Sequence, residues 1–348
     1  MQRLWFLFLF LFFSNALFAQ SPAGKDYLNV SISVFDMNLP ADEKKQSEQN
    51  IYPAVRKAEA IYIPALLQLR LMDSNLWGAV RLLPADDTGA EILIKGKIIS
   101  SDGARLVLKI SAADSTGRIW IDKVYAGRAA KIYSAKQSIE GTDPFLSLYD
   151  AITRDLAEVY ANLSMADVNK IKTVAQIRYA AFLSPEIYTS YLSKDKDGYF
   201  EVNHLPAGND PDFLRNQEIR KHEFLFIDVV NEEYHDYLVK IKPVYDLWRN
   251  YRREQQAADA YLMERKADGG NKYSRGSYMA LRQAYDNFRL ANMKDQYINE
   301  IGDRFSTETK PTDIKLQDSL YHLTGALADQ YSQWRSILKK IYALEKNK

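Results

Sequence analysis

One stretch of alternating apolar and polar residues constrains the fold of this chain more than any other feature. It covers residues 91–127 and reads EILIKGKIISSDGARLVLKISAADSTGRIWIDKVYAG. Alternation with a period of two residues is typical of β-strands that are buried on one face. Two short turn sequences, SDG and DSTG, divide the stretch into three segments, and such short loops join antiparallel strands. The sequence therefore predicts a three-stranded antiparallel meander.

Two shorter segments before the meander also predict strands. Residues 27–35, YLNVSISVF, alternate cleanly between apolar and polar side chains. Residues 77–84, WGAVRLLP, predict a second strand that ends at Pro84. After the meander, residues 144–163 place apolar side chains at helical spacing and predict a helix.

A further helix is predicted for residues 51–72, between the first two strands. Its apolar side chains recur at helical spacing, and Pro53 suits the first turn of a helix. Pro64 lies inside this segment, so we expect a kink or a break there. The order of elements predicts an amino-terminal α/β domain over residues 26–163, with a mixed or antiparallel sheet that contains the meander.

Three quoted runs of this domain resemble a known group of proteins. They are ALLQLRLMDSNLWGAVRLLP, then AEILIKGKIISSDGARLVLKISAADSTGRIWIDKVYAG, then LYDAITRDLAEVY. They combine a helix that leads into a short strand, the Ile94-Lys95-Gly96-Lys97-Ile98 strand, a DG turn, and a strand that ends in D-x-x-G.

In these features residues 27–163 resemble the α/β domains of bacterial envelope accessory proteins. This group includes the amino-terminal domain of the translocation protein TolB. It also includes related domains of the curli secretion lipoprotein and of the outer-membrane activators of peptidoglycan synthases. The resemblance implies a role in the envelope through protein contacts rather than catalysis. The chain departs from the group in having no cysteine to carry a lipid and no β-propeller repeats after the domain.

The character of the sequence changes after the predicted α/β domain. Residues 164–213 predict a loop-rich connection, with glycine and proline concentrated in its second half. Residues 214–267 predict helix, divided near Pro243 into two helices or kinked there. A second helix is predicted for residues 277–301.

The clearest helical pattern covers residues 311–345. Its apolar side chains step alternately by four and three residues, which is a seam in heptad register. The predicted seam consists of Leu316, Leu320, Leu323, Leu327, Gln330, Trp334, Ile337, Ile341 and Leu344. We therefore expect residues 214–348 to form an elongated all-α bundle, and the whole chain to belong to the α+β class. Part of a seam could also serve as a docking face for a partner helix.

The amino terminus and the absence of cysteine predict the compartment. Residues 1–19 combine a positive Arg3, an unbroken apolar run and a small residue at the end, which is the pattern of a secretory signal peptide. Cleavage is expected after Ala19 or Ala23, and retention as an anchor is the alternative. Because there is no cysteine, the signal is not that of a lipoprotein. The sequence thus predicts a periplasmic protein with no stable transmembrane insertion after cleavage.

Few residues suggest chemistry. Residues 193–204, SKDKDGYFEVNH, match an EF-hand loop in part, with Asp195 and Asp197 as candidate metal ligands. Ser193 and His204 stand where the loop needs its first Asp and its last Glu, so a simple turn is the alternative. Two Glu-x-x-His pairs, Glu201 with His204 and Glu232 with His235, resemble di-iron motifs that need further glutamates.

The hypothesis that follows is a periplasmic accessory or scaffold protein that acts through contacts with envelope proteins. The alternative is an envelope ligand-binding or glycan-binding protein, or a hydrolase, that uses a cleft between the two regions. Glu232, Glu233 and Asp236 are candidate carboxylates for glycan hydrolysis, but we expect them to be solvated side chains. A weaker alternative is a metal-binding protein. The net charge of +1 argues against a nucleic-acid partner, and no motif predicts a catalytic residue or a cofactor.

Overall fold

The computed structural model describes residues 27–49, 51–129, 143–267, 311–316 and 319–346. The predicted signal peptide and the predicted helix at 277–301 lie outside these residues. The helices are α1 (Glu43–Glu48), α2 (Pro53–Asp73), α3 (Leu146–Ala161), α4 (Met165–Leu183), α5 (Pro185–Tyr188), α6 (Pro211–Ala267) and α7 (Leu327–Lys346). The strands are β1 (Val30–Ser33), β2 (Val80–Leu83), β3 (Ile92–Ser101), β4 (Arg105–Asp114), β5 (Ile119–Arg128), β6 (Leu192–Lys194), β7 (Phe200–Val202), β8 (Thr312–Leu316) and β9 (Ser319–Leu323).

The first five strands form one mixed sheet in the order β2-β1-β3-β4-β5. Strand β1 lies between β2 and β3 and is parallel to both, so that Val30 pairs with Val80 on one side and Ile92 on the other. Strands β3, β4 and β5 form the predicted antiparallel meander. Gly103 and Gly117 have φ of +85° and +93° in its two turns, where glycine carries no steric cost. The α+β class and the meander are therefore confirmed.

The sheet buries one face against helices and leaves much of the other exposed. The apolar members of the alternation, such as Ile94, Ile98 and Leu108, are fully buried. Helices α2 and α3 cover this face. Lys95 and Lys97 alternate with the buried residues of β3 and form ion pairs on the opposite, solvated face. The sequence pattern thus predicted the buried face of β3 correctly, whereas β1 is buried on both faces and Ile119 at the start of β5 is 63% exposed.

Helix α2 runs through Pro64 without the predicted break. A proline has no N–H to donate to the carbonyl four residues earlier, which here belongs to Ala60. The Ala60 carbonyl accepts instead from the backbone N–H of Phe35, at 2.9 Å. The carbonyl that the proline leaves free therefore joins α2 to the segment after β1, and the helix continues.

The predicted loop-rich connection is wrong over its first part, because residues 165–183 form helix α4. The Ser164 side chain caps α4 by accepting from the backbone N–H of Asp167, and Asp167 bonds back to Ser164. The buried residues of α4 are distributed around the helix rather than along one stripe, so its periodicity is weak. They are Val168, Ile171, Val174, Ala175, Ile177, Tyr179, Ala180 and Leu183.

Helix α6 is one uninterrupted helix, and the division predicted near Pro243 does not occur. Pro243 is exposed, while Leu238, Ile241, Tyr245 and Trp248 are buried along one side. Packing of that side offsets the missing hydrogen bond, which costs about 3 kcal/mol in an exposed helix. Tyr245 lies against Tyr62 of α2, with ring centroids 4.9 Å apart.

The predicted seam at 311–345 is only half right. Its first part forms the β8–β9 hairpin, and its second part forms α7. In α7 the buried residues after Trp334 are Leu338 and Tyr342, whereas Leu344 is 68% exposed. Helix α7 is antiparallel to α6, because Arg215 pairs with Glu345 while Phe226 lies against Tyr331.

The helical region and the sheet share one hydrophobic core over the described residues. Helix α6 crosses the β2 edge of the sheet. There the Asn231 Oδ1 accepts from the Leu82 N–H at 2.8 Å, and Nδ2 donates to the Leu82 carbonyl at 2.8 Å. A side-chain amide thus replaces a neighbouring strand and covers an otherwise open edge. None of the helices in the described ranges has the length and apolar character needed to span a membrane.

Candidate functional site

A cavity of about 290 Å³ lies between the sheet and the helical region. The beginnings of β1 and β2 and the loop before β3 form one side, and α4 and α6 form the other. We call it the sheet–helix cavity. Its lining consists of Asn29, Val30, Ser31, Ala79, Arg81, Gly89, Ala90, Glu91, Ala175, Gln176, Tyr179, Phe213, Asn216, Gln217, Arg220, Lys221 and Phe224.

A hydrogen-bonded pair from the sheet forms part of the lining. The Asn29 backbone N–H donates to Glu91 Oε2 at 2.7 Å, and its Nδ2 donates to Oε1 at 2.9 Å. The Asn29 Oδ1 accepts from the Ala79 N–H at 2.8 Å. These bonds join the starts of β1, β2 and β3. Burial raises the pKa of the Glu91 carboxyl, although the bonds from Asn29 act against that rise.

Arg220 from α6 forms the opposite wall. It binds Asp87 through two hydrogen bonds and also donates to the Gly89 carbonyl at 3.2 Å. Asp87 is buried, which would raise its pKa, but the Arg220 guanidinium lowers the pKa below the usual range. The guanidinium carbon lies 4.4 Å from the ring centroids of both Tyr179 and Phe224. Ion pairing and ring contacts therefore fix Arg220 in place.

A second buried acid holds Arg220 from behind. Glu223 is fully buried and accepts from Arg220 at 3.2 Å and from the Tyr331 hydroxyl at 2.6 Å. Arg335 forms an ion pair with the same carboxylate at 3.3 Å. Because Tyr331 and Arg335 belong to α7, the last helix supports the cavity wall without lining it.

Several apolar residues of the lining are tightly packed. A Cβ added at Gly89 would lie 2.9 Å from the Cβ of Tyr179, so only glycine fits this close approach. Phe213 and Phe224 from α6 and Ala175 from α4 contribute apolar surface. The cavity thus combines apolar surface with fixed polar groups, and both kinds of surface occur in small-molecule sites.

Asn216 is a lining residue whose buried amide has no partner among the described residues. It is 2% exposed, and neither its Oδ1 nor its Nδ2 has a hydrogen-bond partner. Buried amide atoms are almost always paired, since an unmade hydrogen bond costs about 1–3 kcal/mol. A residue of the cavity wall therefore has an amide nitrogen and an amide oxygen that the protein itself does not use.

The candidate metal ligands lie elsewhere, in the β6–β7 hairpin. The Asp195 Oδ1 accepts from the backbone N–H groups of Asp197 and Tyr199, both at 2.9 Å. Gly198 has φ of +87° at the tip. This is the turn that the sequence offered as the alternative to an EF-hand loop. Within the described residues, no cluster of three or more His, Asp or Glu side chains could hold a metal ion.

The two Glu-x-x-His pairs are not brought together. Glu201 pairs with Lys170 at 3.3 Å, and His204 lies 4.0 Å from the ring centroid of Tyr191. Glu232 and His235 lie on α6 at a second, more open groove of about 750 Å³. Glu233 and Asp236, the other residues weighed for glycan hydrolysis, line this same groove.

Sequence reasoning expected a cleft between the two regions but missed the residues that form it. Glu91 begins the alternating stretch and Asn29 lies in the first predicted strand, yet nothing in the sequence links them. Asn216 and Arg220 occur four residues apart in a helix rich in polar side chains. Their spacing places both on one side of the helix, and this was the only local signal.

No protein-family model, curated protein or solved structure matches this chain.

Proposed function

We propose that this chain is an exported cell-envelope protein that binds a small ligand in the sheet–helix cavity. The observation that carries the proposal is the unpartnered, buried amide of Asn216 in the cavity wall. A protein loses stability by keeping such a group, and the loss is offset when a ligand supplies the missing bonds. The export follows from the signal-like pattern of residues 1–19.

The construction of the cavity supports binding rather than an accidental void. Its volume of about 290 Å³ is close to the lower limit of known ligand sites, which begin at about 300 Å³. Arg220 and Glu91 are held by several hydrogen bonds each, so the walls need little reorganisation when a ligand enters. Low reorganisation favours affinity because less conformational entropy is lost on binding.

The test uses a variant that fills the cavity. Gln217 is half-buried in the lining, and Gln217→Trp should place an indole ring in the space that a ligand needs. Leu214→Trp is the matched control, because Leu214 lies on the same helix, is 47% exposed and is not part of the lining. Ligand-observed NMR would screen wild type and both variants against amino acids, amino sugars, nucleosides and short peptides.

We expect at least one compound to bind wild type and Leu214→Trp but not Gln217→Trp. Compounds that bind all three proteins equally occupy another surface. If every compound that binds does so equally well to all three proteins, the cavity is not a ligand site of the kind proposed. The same conclusion follows if no compound binds wild type.

A second candidate function is contact with an envelope protein, which the resemblance of residues 27–163 favours. The specific observation is strand β5, which forms one edge of the sheet. Its side chains Ile119 and Val124 are 63% and 54% exposed. An exposed strand edge with apolar side chains is suited to the addition of a strand from a partner.

This second candidate is tested by placing a photo-crosslinking residue at Val124 in the native host. A matched control carries the same residue at Leu205, which is 67% exposed and distant from β5 in the sequence. One dominant protein crosslinked from Val124 and not from Leu205 is the expected result. Equal products from both positions would contradict a partner that docks on β5.

A further inference from the structure

The hydrogen-bonding pattern of Asn216 indicates which chemical group the cavity receives. A primary carboxamide offers N–H donors on one side and a carbonyl acceptor on the other. A ligand that satisfies both must present an acceptor and a donor side by side, which is the arrangement of another amide. We infer that the ligand is an uncharged small molecule with an amide group, bound by Asn216. This inference rests on the proposed function of the cavity.

The charged residues of the lining argue against an ionic ligand. Each of the three cationic side chains in the described lining already has an acidic partner. Arg81 pairs with Asp228 at 2.7 Å, Arg220 pairs with Asp87, and Lys221 pairs with Glu218 at 2.6 Å. A carboxylate or phosphate that entered would lose hydration and would have to compete with these partners.

The carboxylate of the lining, that of Glu91, also has partners within the protein. Both oxygens of Glu91 accept hydrogen bonds from Asn29. The protein therefore already satisfies part of the acceptor capacity of this carboxylate, which weakens its attraction for an ammonium group. Among the amide side chains of the lining, Asn216 is the buried one, and its oxygen and nitrogen both lack a partner within the described residues.

The size and the apolar surface restrict the ligand further. A water molecule in the liquid occupies about 30 Å³, so 290 Å³ holds roughly ten to fifteen non-hydrogen atoms. Phe213, Phe224 and Ala175 offer apolar contacts to the methyl or methine groups that flank an amide. An N-acetylated amino sugar and a capped single amino acid are both of this size and chemistry.

The Asn216 side chain must change its conformation before its amide can contact a ligand. The amide atoms of Asn216 are shielded from solvent in the structure, although the residue lines the cavity. The last torsion of an asparagine side chain has a broad energy profile. Rotation about this torsion is the movement that would bring the amide into contact with a ligand.

Isothermal titration calorimetry on the full chain tests the inference with two amide probes, N-acetylglucosamine and N-acetylalaninamide. Glucose and glucosamine are the controls without an amide for the first probe, and N-acetylalanine is the anionic control for the second. Each is titrated into wild type, Asn216→Leu and Gln217→Trp. Leucine has nearly the shape of asparagine and removes both the donor and the acceptor.

We expect at least one amide probe to bind wild type and to lose about tenfold or more in affinity in Asn216→Leu, as is usual when a buried polar pair is unmade. Its controls should bind more weakly to wild type. Which of the two probes binds distinguishes a sugar amide from a peptide amide.

Two results would overturn the inference. One is that an amide probe binds wild type and Asn216→Leu with equal affinity. The other is that wild type binds the control compound as tightly as the matching amide probe. Failure of both amide probes also overturns it. If other compounds still bind in a way that Gln217→Trp abolishes, the proposed ligand site stands and only the ligand class is wrong. If nothing binds in that way, the proposed function itself fails.

Discussion

At the scale of single residues, some buried polar groups have partners and others, such as the hydroxyls of Tyr62 and Tyr149, have none within the described part of the chain. Glu223 and Asp87 are buried and each has a cationic partner, while Asn231 uses its whole amide to cover the β2 edge. Asn216 lies on the same helix and uses neither end of its amide. This contrast between two asparagines makes a direct test of stability feasible.

Replacement of Asn216 by leucine should stabilise the protein without ligand. We expect the free energy of unfolding of Asn216→Leu to rise by about 1–3 kcal/mol, because two unpaired polar atoms leave a buried site. Asn231→Leu is the matched control and should lose about 1–3 kcal/mol, since it leaves the Leu82 N–H and carbonyl without their partners. Urea denaturation followed by tryptophan fluorescence measures both, and a loss of stability in Asn216→Leu would contradict the assignment.

Glu91 predicts a dependence of stability on pH. Burial raises its pKa in the folded state above the ordinary 4.5, so the folded state binds the proton more tightly than the unfolded state. The stability of wild type relative to Glu91→Gln should therefore increase as the pH falls from 8 towards 4.5, and this gain should disappear as the pH rises through the folded pKa.

Asp167 provides a control of opposite sign. Hydrogen bonds from Ser164 lower the pKa of Asp167, so its contribution to stability is lost as the pH falls through that folded pKa. Urea denaturation of Glu91→Gln and Asp167→Asn between about pH 3 and 8 should show opposite trends relative to wild type. A common trend in both variants would be evidence against the assigned cause at Glu91.

At the scale of secondary-structure elements, two prolines inside helices have different environments. The carbonyl that Pro64 cannot bond, that of Ala60, accepts from Phe35, and the proline itself is buried. Pro243 is exposed, and the carbonyl four residues before it belongs to Val239, whose side chain is 44% exposed. The same residue type therefore has a tertiary role in α2 and only a local cost in α6.

The comparison of Pro64→Ala with Pro243→Ala tests this difference. Pro243→Ala should raise the free energy of unfolding by about 1–3 kcal/mol, because it restores a helical hydrogen bond. Pro64→Ala should gain little, within about 1 kcal/mol, since its new N–H competes with Phe35 for the Ala60 carbonyl and its ring packing is lost. Thermal and urea denaturation measure both variants, and equal gains would refute the role of Ala60.

At the scale of the whole molecule, buried contacts connect the helical region to the sheet. Arg249 of α6 pairs with Asp143, just before α3, at 2.7 Å, and both side chains are 1% exposed or less. The Tyr245 hydroxyl donates to Glu59 of α2 at 2.6 Å. Burial acts to raise the pKa of Glu59, and this effect exceeds the opposing effect of Arg56. We expect the described regions to unfold together.

Removal of one partner of the buried pair should therefore affect the entire chain. Arg249→Met should cost about 3–5 kcal/mol because Asp143 remains buried without its cation. Arg70→Met, which breaks an exposed pair with Asp150, should cost about 1 kcal/mol or less. Far-UV and near-UV circular dichroism should report one coincident transition for both, and separate transitions would show that the two regions unfold independently.

The sequence by itself determined the local structure of the sheet. Alternation over residues 91–127 predicted β3, β4 and β5 because each strand is buried on one face, and burial imposes a period of two. The buried positions 238, 241, 245 and 248 of α6 were likewise visible as helical steps. In these elements the apolar residues that form the sequence pattern are the same residues that pack in the core.

Only the tertiary structure decided the rest. Leu316, Leu320 and Leu323 fit a helical period, yet these segments are strands because β8 pairs with β9. In α7 Tyr331 is buried because its hydroxyl meets Glu223, whereas Leu344 is exposed. The cavity joins Asn29, Glu91 and Asn216, which are distant in sequence. The periodicity of apolar residues indicates which side of a helix or strand is buried. Which element packs against that side depends on contacts between residues that are distant in the sequence.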